Sequence, residues 1–134
     1  NLQAAMGVAQ LERIDEILDK KKKIFQWYEE QLCNESKIKL NFQTEGYKNV
    51  FWVVCIEIKG FDEEKRDSLI AALNASGIDS RPFFFPVSEM PMYKSNDTKI
   101  AHLASKTGLN LPSFFDIKKE EVNHICKNLK KLIQ

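Results

Sequence analysis

The sequence predicts a small α/β fold, in which a mostly antiparallel sheet is flanked by helices, packed mainly on one face, and preceded by a long N-terminal helix. Three observations predict it. Apolar residues recur at helical spacing at both ends of the chain. Runs rich in β-branched and aromatic residues, of strand length, lie between them. The 134 residues, 43% hydrophobic and 29% charged, with nine Phe, two Trp and three Tyr, suffice for one core. A single domain over residues 1–134 is expected, with the long helix over 1–33 and an α/β sandwich over 37–134.

The first helix rests on Leu11, Ile14, Leu18, Phe25, Tyr28 and Leu32, spaced by three, four and seven. Lys20 to Lys23 in its middle read as a solvated helix turn, because consecutive residues spread around a helix and acids flank them. Gly7 costs about 1 kcal/mol there against Ala, which a close packing partner would explain. Lys37 to Phe42 alternates as a half-buried strand, and a turn follows around Gly46. Val50 to Ile58 reads as a central strand. Asp62 caps a helix to about Ser76, with Leu69, Ile70 and Leu73 inward and Gly77 as its stop. Ile78 to Phe85 reads as an edge or interrupted strand, since Pro82 and Pro86 each remove a ladder donor. After a loop over Met90 to Asn96, a short helix runs from Asp97 to Lys106 and closes at Gly108. Leu109 to Leu111 is a short extended piece. The last helix runs from about Lys118 to the end, on the stripe Val122, Ile125, Cys126, Leu129, Leu132 and Ile133.

Composition excludes several classes. The formal net charge of +1 gives no field toward nucleic acid or an anionic membrane, and neither is expected as a partner. No apolar run reaches the roughly 18 residues of a membrane span. Three scattered cysteines (Cys33, Cys55 and Cys126) fit reduced thiols in a cytoplasmic protein better than a disulfide frame or a zinc site. The two histidines, His102 and His124, lie in predicted helices without a second ligand at i+4, and both read as surface or boundary residues. No catalytic residue and no metal ligand emerges.

One segment stands apart: Gly77-Ile78-Asp79-Ser80-Arg81-Pro82-Phe83-Phe84-Phe85-Pro86-Val87. Arg81 has the planar fork that clamps a phosphate or carboxylate, and the aromatics beside it suit stacking on a sugar or base. Core aromatics beside one solvated arginine is the competing reading.

The opening Asn1-Leu2-Gln3-Ala4-Ala5-Met6-Gly7-Val8-Ala9-Gln10-Leu11-Glu12 resembles the start of the long helix after the R-M-T loop of the DegT/DnrJ/EryC1/StrS family of sugar aminotransferases. Gly77 to Pro86, followed by Met90-Pro91-Met92-Tyr93, resembles the family's small-domain loop, most of all in its perosamine-synthase branch. Leu109-Asn110-Leu111-Pro112-Ser113 resembles the L-x-L-P-S before the family's final helix. The three matches stand in the right order and cover nearly the whole chain. The resemblance implies the C-terminal small domain of a fold-type-I aminotransferase that uses pyridoxal phosphate and forms homodimers with interfacial active sites. It implies a nucleotide-linked keto-deoxysugar and glutamate as substrates, in surface polysaccharide synthesis. The cofactor lysine and most phosphate contacts would belong to a large domain that this chain lacks, so the chain alone is expected to be inactive and free of cofactor. By resemblance, Arg81, Phe83 and Phe84 line the sugar-nucleotide entrance, and Asn1 follows the loop that reaches a neighbouring subunit's cofactor phosphate. One departure is Ser88, where the family often has His, so the sugar's identity stays open.

The chain opens at Asn1 already in helix-like sequence and without an initiator Met, from which a truncated or cloned domain is expected. A second reading is a stand-alone binding module that stacks single-stranded RNA on Phe83 to Phe85 or holds a protein partner. The near-neutral charge and the missing RNP-like aromatic pattern argue against RNA.

Overall fold

The computed structural model describes residues 1–41, 44–93 and 98–133. Along the chain come helices α1 (Leu2–Leu11) and α2 (Ile14–Leu32), strands β1 (Ile38–Leu40) and β2 (Val54–Ile58), and helix α3 (Glu63–Ala75). Strand β3 (Arg81–Pro82), a 3-10 turn (Val87–Glu89), helix α4 (Lys99–Thr107), strand β4 (Gly108–Leu111) and helix α5 (Lys119–Leu132) complete the order. Four sequence expectations reach beyond the described residues: Phe42 as the end of the first strand, Asn96 as the end of the loop, Asp97 as the start of a helix, and the last helix continuing through Gln134.

The strands form one antiparallel sheet in the order β1-β2-β4-β3. Alternation decides its faces. Val54, Ile56 and Ile58 of β2 stand opposite Leu111, Leu109 and the β1 partners Leu40 and Ile38, and this row turns inward. Against it pack Ile24, Phe25, Tyr28 and Leu32 of α2, Leu69 and Leu73 of α3, and Val122, Ile125, Cys126 and Leu129 of α5, in one continuous core. Tyr28 is fully buried, and its hydroxyl donates to the Pro112 carbonyl at 2.7 Å, which satisfies the one polar atom it carries inside. The helices named in the core all lie on this side of the sheet, as the sequence predicts. α4 instead closes over the other face near the start of β4. A Cβ on Gly108 would stand 2.6 Å from the Ala104 carbonyl oxygen and 3.2 Å from the Phe83 Cβ.

Several boundaries follow the sequence closely. The Asp62 side chain accepts from the Lys65 amide at 2.9 Å and caps α3, and Gly77 takes a φ of +75° just beyond its end. Glu120 and Glu121 lie in the first turn of α5, and Lys130 and Lys131 in its last.

Other boundaries differ. The predicted single helix over 2–33 is two helices. The Glu12 amide still bonds Val8 at 2.9 Å, but the Arg13 amide bonds Gln10 at 3.2 Å, and Arg13 leaves helical geometry at φ −111° and ψ 14°. Its guanidinium instead grips Glu16 in the first turn of α2. α1 buries no residue, so no packing holds the two segments to one axis. Gly7 lies within α1 with open space around it, so the expected packing partner is not there. The strand predicted over Val50 to Ile58 begins only at Val54, because Phe51 adopts a φ of +49° and breaks the extended run. Only Arg81 and Pro82 of the predicted third strand pair, at the sheet edge where proline is tolerated. The short extended piece at 109–111 is a central strand, paired on both sides. The lysine run is only partly solvated: Lys20 donates to the Ile117 carbonyl at 3.4 Å, and Lys21 to the carbonyls of Trp52 and Ser113. No helix among the described residues is long and apolar enough to cross a membrane.

Candidate functional site

The singled-out segment runs from the core at Ile78 to the face of the sheet opposite it at Arg81. β3 supplies its edge. Arg81 stands opposite Asn110 of β4, and Asn110 stands opposite Cys55 of β2, so antiparallel register sets the three side chains in one row on that face. The row is knitted together. The Cys55 thiol donates to Asn110 Oδ1 at 3.1 Å, and the Asn110 amide donates to the Pro82 carbonyl at 3.3 Å. Asn41 extends it, accepting from the Cys55 amide at 3.0 Å. Burial pushes the Cys55 thiol up to about 11, so it serves here as a weak donor and not as a thiolate nucleophile.

Arg81 is free enough to bind an anion. Its Nη2 lies 3.2 Å from Asp79 Oδ2, with the two side chains 77% and 72% exposed. A single contact between two solvated groups contributes less than about 1 kcal/mol, and it leaves the rest of the guanidinium in water. The pairing with Asp79 is the structural alternative to a ligand role, and its weakness is what leaves that role open.

The next residues build an apolar wall. Phe83 is half-buried over Gly108 and lines a pocket of about 240 Å³ with Asn41, Cys55, Glu57 and Ala104. Phe84 meets Phe83 edge to face, with ring centroids 5.7 Å apart, and stacks on Trp52 with centroids 5.9 Å apart and planes 13° from parallel. Trp52 is 67% exposed and Phe84 55%. Sequence reasoning missed Trp52, which it placed inside a strand. The signal lies in tertiary structure: the positive φ of Phe51 turns the chain, and the Phe51 ring stacks on Phe25 at 4.2 Å while the Trp52 indole is left outside.

Asn1 does not join this group. Its side chain accepts from the Gln3 amide at 3.0 Å and caps α1, whose residues are all exposed. Of the four residues singled out by resemblance, the sheet edge therefore brings together three. Another pocket, of about 690 Å³, lies elsewhere. Asp79, Glu120, Glu121 and His124 line it along with Ile78, Ile117 and Ile125, and its acidic rim suits a phosphate poorly.

Several lysines among the described residues are engaged by other groups of the protein. Lys21 is half-buried and its ammonium is destabilised by desolvation, but it is committed to two carbonyl oxygens. Lys37, Lys65, Lys119 and Lys130 bond to a carbonyl or a carboxylate on the surface. No group of three or more His, Cys, Asp or Glu among the described residues is arranged to hold a metal ion.

The model of the DegT/DnrJ/EryC1/StrS aminotransferase family matches residues 1–130. A GDP-perosamine synthase of Caulobacter vibrioides is 34% identical over 138 residues, covering 99% of this chain and 37% of that protein. The chain thus spans little more than a third of that relative's length. Among solved structures, Helicobacter pylori PseC, an aminotransferase involved in the biosynthesis of pseudoaminic acid, superposes with a TM-score of 0.85 at 16% identity, over 98% of this chain and 36% of that one. An E. coli GDP-4-keto-6-deoxy-D-mannose-3-dehydratase with bound hydrated PLP superposes at 0.74 and 18% identity, over 93% and 34%.

Proposed function

The chain belongs to the DegT/DnrJ/EryC1/StrS aminotransferase family, and on that premise we propose that it is the C-terminal small-domain part of a pyridoxal-phosphate-dependent enzyme. In this reading the enzyme moves an amino group from glutamate to a nucleotide-linked keto-deoxysugar used for surface polysaccharide, and works in the cytoplasm as a homodimer. The observation that carries the reading is the solvated Arg81 fork at the sheet edge, followed at once by the Phe83, Phe84 and Trp52 rings. Such a pairing suits a ligand with a diphosphate at one place and a ring at another.

Each residue then has a task. Arg81 exchanges its weak Asp79 contact for two parallel bonds to phosphate oxygens. Phe83 and Phe84 exclude water beside that contact, which strengthens it by lowering the local dielectric. Asn1 is proposed to stand near a neighbouring subunit's cofactor phosphate. Pyridoxal phosphate, when bound, supplies the electron sink for amino transfer, and its lysine is assigned to a part of the protein outside this chain.

The test uses the full-length protein that carries this chain, loaded with cofactor and given glutamate and a nucleotide-linked keto-deoxysugar. An aminated nucleotide sugar, with 2-oxoglutarate in equal amount, is expected by mass spectrometry. A protein that holds cofactor and yields no aminated sugar refutes the reading. The isolated chain, mixed with pyridoxal phosphate, is expected to form no aldimine on one defined lysine; a stable visible absorbance traced to a single lysine refutes that part.

A further inference from the structure

Beyond Phe85 the chain drops Pro86 into the protein and makes the 3-10 turn Val87–Glu89, closed by the Glu89 amide on Pro86 at 3.0 Å and the Met90 amide on Val87 at 3.1 Å. Polar side chains tie this turn to α4 and to its N-cap, Thr98. The Ser88 hydroxyl lies 2.9 Å from His102 Nε2 and 2.8 Å from Thr98 Oγ1. On the other side of the same ring, His102 Nδ1 lies 2.9 Å from Glu89 Oε1. The imidazole and the carboxylate are 30% and 33% exposed, so neither is loosely solvated.

With Glu89 ionised and the ring neutral, the donors and acceptors available set one direction for this relay. An ionised Glu89 only accepts, so Nδ1 carries a proton and donates to it. On the neutral ring Nε2 is then bare and accepts from the Ser88 hydroxyl. Ser88, having donated, accepts from Thr98. Every proton from Thr98 through Ser88 and His102 to Glu89 points the same way, an arrangement in which each bond polarises the next.

We propose that His102 is a positioning residue for the nucleotide-sugar entrance. From α4 it clamps two successive residues, Ser88 and Glu89, and so fixes the turn that continues the Arg81 to Phe85 wall. The consequence for substrate rests on the function proposed above; the clamp itself does not.

Nitrogen NMR on the neutral ring of His102 is expected to show a protonated Nδ1 and a bare Nε2. A ring protonated at Nε2 with a bare Nδ1 overturns the proposal. Amide exchange at Glu89 and Met90 is expected to quicken in Ser88→Ala and His102→Ala, and unchanged exchange in both overturns it too. In the full-length enzyme His102→Ala is expected to raise the KM for nucleotide sugar about tenfold, the scale of two neutral hydrogen bonds, while the half-reaction with glutamate keeps its rate. His102→Gln keeps an acceptor where Nε2 stood and His102→Asn a donor where Nδ1 stood, so each restores part of the loss. Equal damage to both half-reactions, or no partial rescue, reduces His102 to a structural residue and refutes the role. A protein that turns over no nucleotide sugar counts against the proposed function alone, since the NMR and exchange measurements still decide the clamp.

Discussion

Replacing Arg81 by Ala separates substrate binding from fold stability. In the folded chain Arg81 makes one 3.2 Å contact with Asp79, and both groups are about three-quarters exposed. Losing that contact removes less than about 1 kcal/mol of stability. Losing a charge-assisted, forked contact with a diphosphate removes roughly 1.5–3 kcal/mol of binding, about 10- to 150-fold in affinity. The assay is nucleotide-sugar titration of the full-length protein beside a thermal melt of the same variant. Cofactor loading and the glutamate half-reaction are expected to change less, because the lysine is assigned elsewhere. Arg81→Lys is expected to fall short of full binding, since a point charge lacks the planar fork. Asp79→Asn is expected to tighten binding slightly, by freeing the guanidinium from its competitor. A variant Arg81→Ala that melts earlier with an unchanged KM would mean that Arg81 serves only its neighbour, and the substrate role would be refuted.

The α1 end is expected to fray or to drive self-association, because Leu2, Met6, Val8 and Leu11 are 79%, 63%, 55% and 68% exposed and nothing in α1 is buried; a rigid monomer with strongly protected amides over Leu2–Leu11 contradicts both outcomes. Gly108→Ala is expected to cost about 1–3 kcal/mol in a urea melt, since its Cβ would press on the Ala104 backbone; an unmoved midpoint sinks the close-packing argument. Among the thiols, exposed Cys33 is expected to react first with a maleimide, with Cys126 last, and the reverse order contradicts the burial assignment. Burial also raises the folded thiols of Cys55 and Cys126 from an ordinary 9.0 to about 11 and about 12 and raises Tyr28 as well, so stability present below pH 9 is expected to fall as pH climbs toward 12; a flat profile there, followed by denaturant midpoints, refutes it.

Local signals in the sequence were enough wherever one short segment carries its own physics. The α5 stripe from Val122 to Leu129, the Asp62 cap, the Gly77 stop and the edge position forced by Pro82 are all of this kind. The aromatic segment after Arg81 also stood out, because three consecutive phenylalanines between prolines are conspicuous in any context. What stayed hidden depends on partners far along the chain. The central place of β4 is set by pairing with β2 and β3, which four residues cannot announce. Arg66, which no local signal singles out, is buried and donates to the Ser105 carbonyl of α4. Trp52 reaches the aromatic wall only because Phe51 turns the backbone, and His102 meets Ser88 and Glu89 only because α4 folds back over the open face. Periodicity and capping are properties of neighbours in sequence, so the sequence by itself determined α3, the body of α5 and their inward faces. Register, backbone reversal and contacts across a loop are properties of neighbours in space, and these, which assemble the candidate site, only the tertiary structure decided.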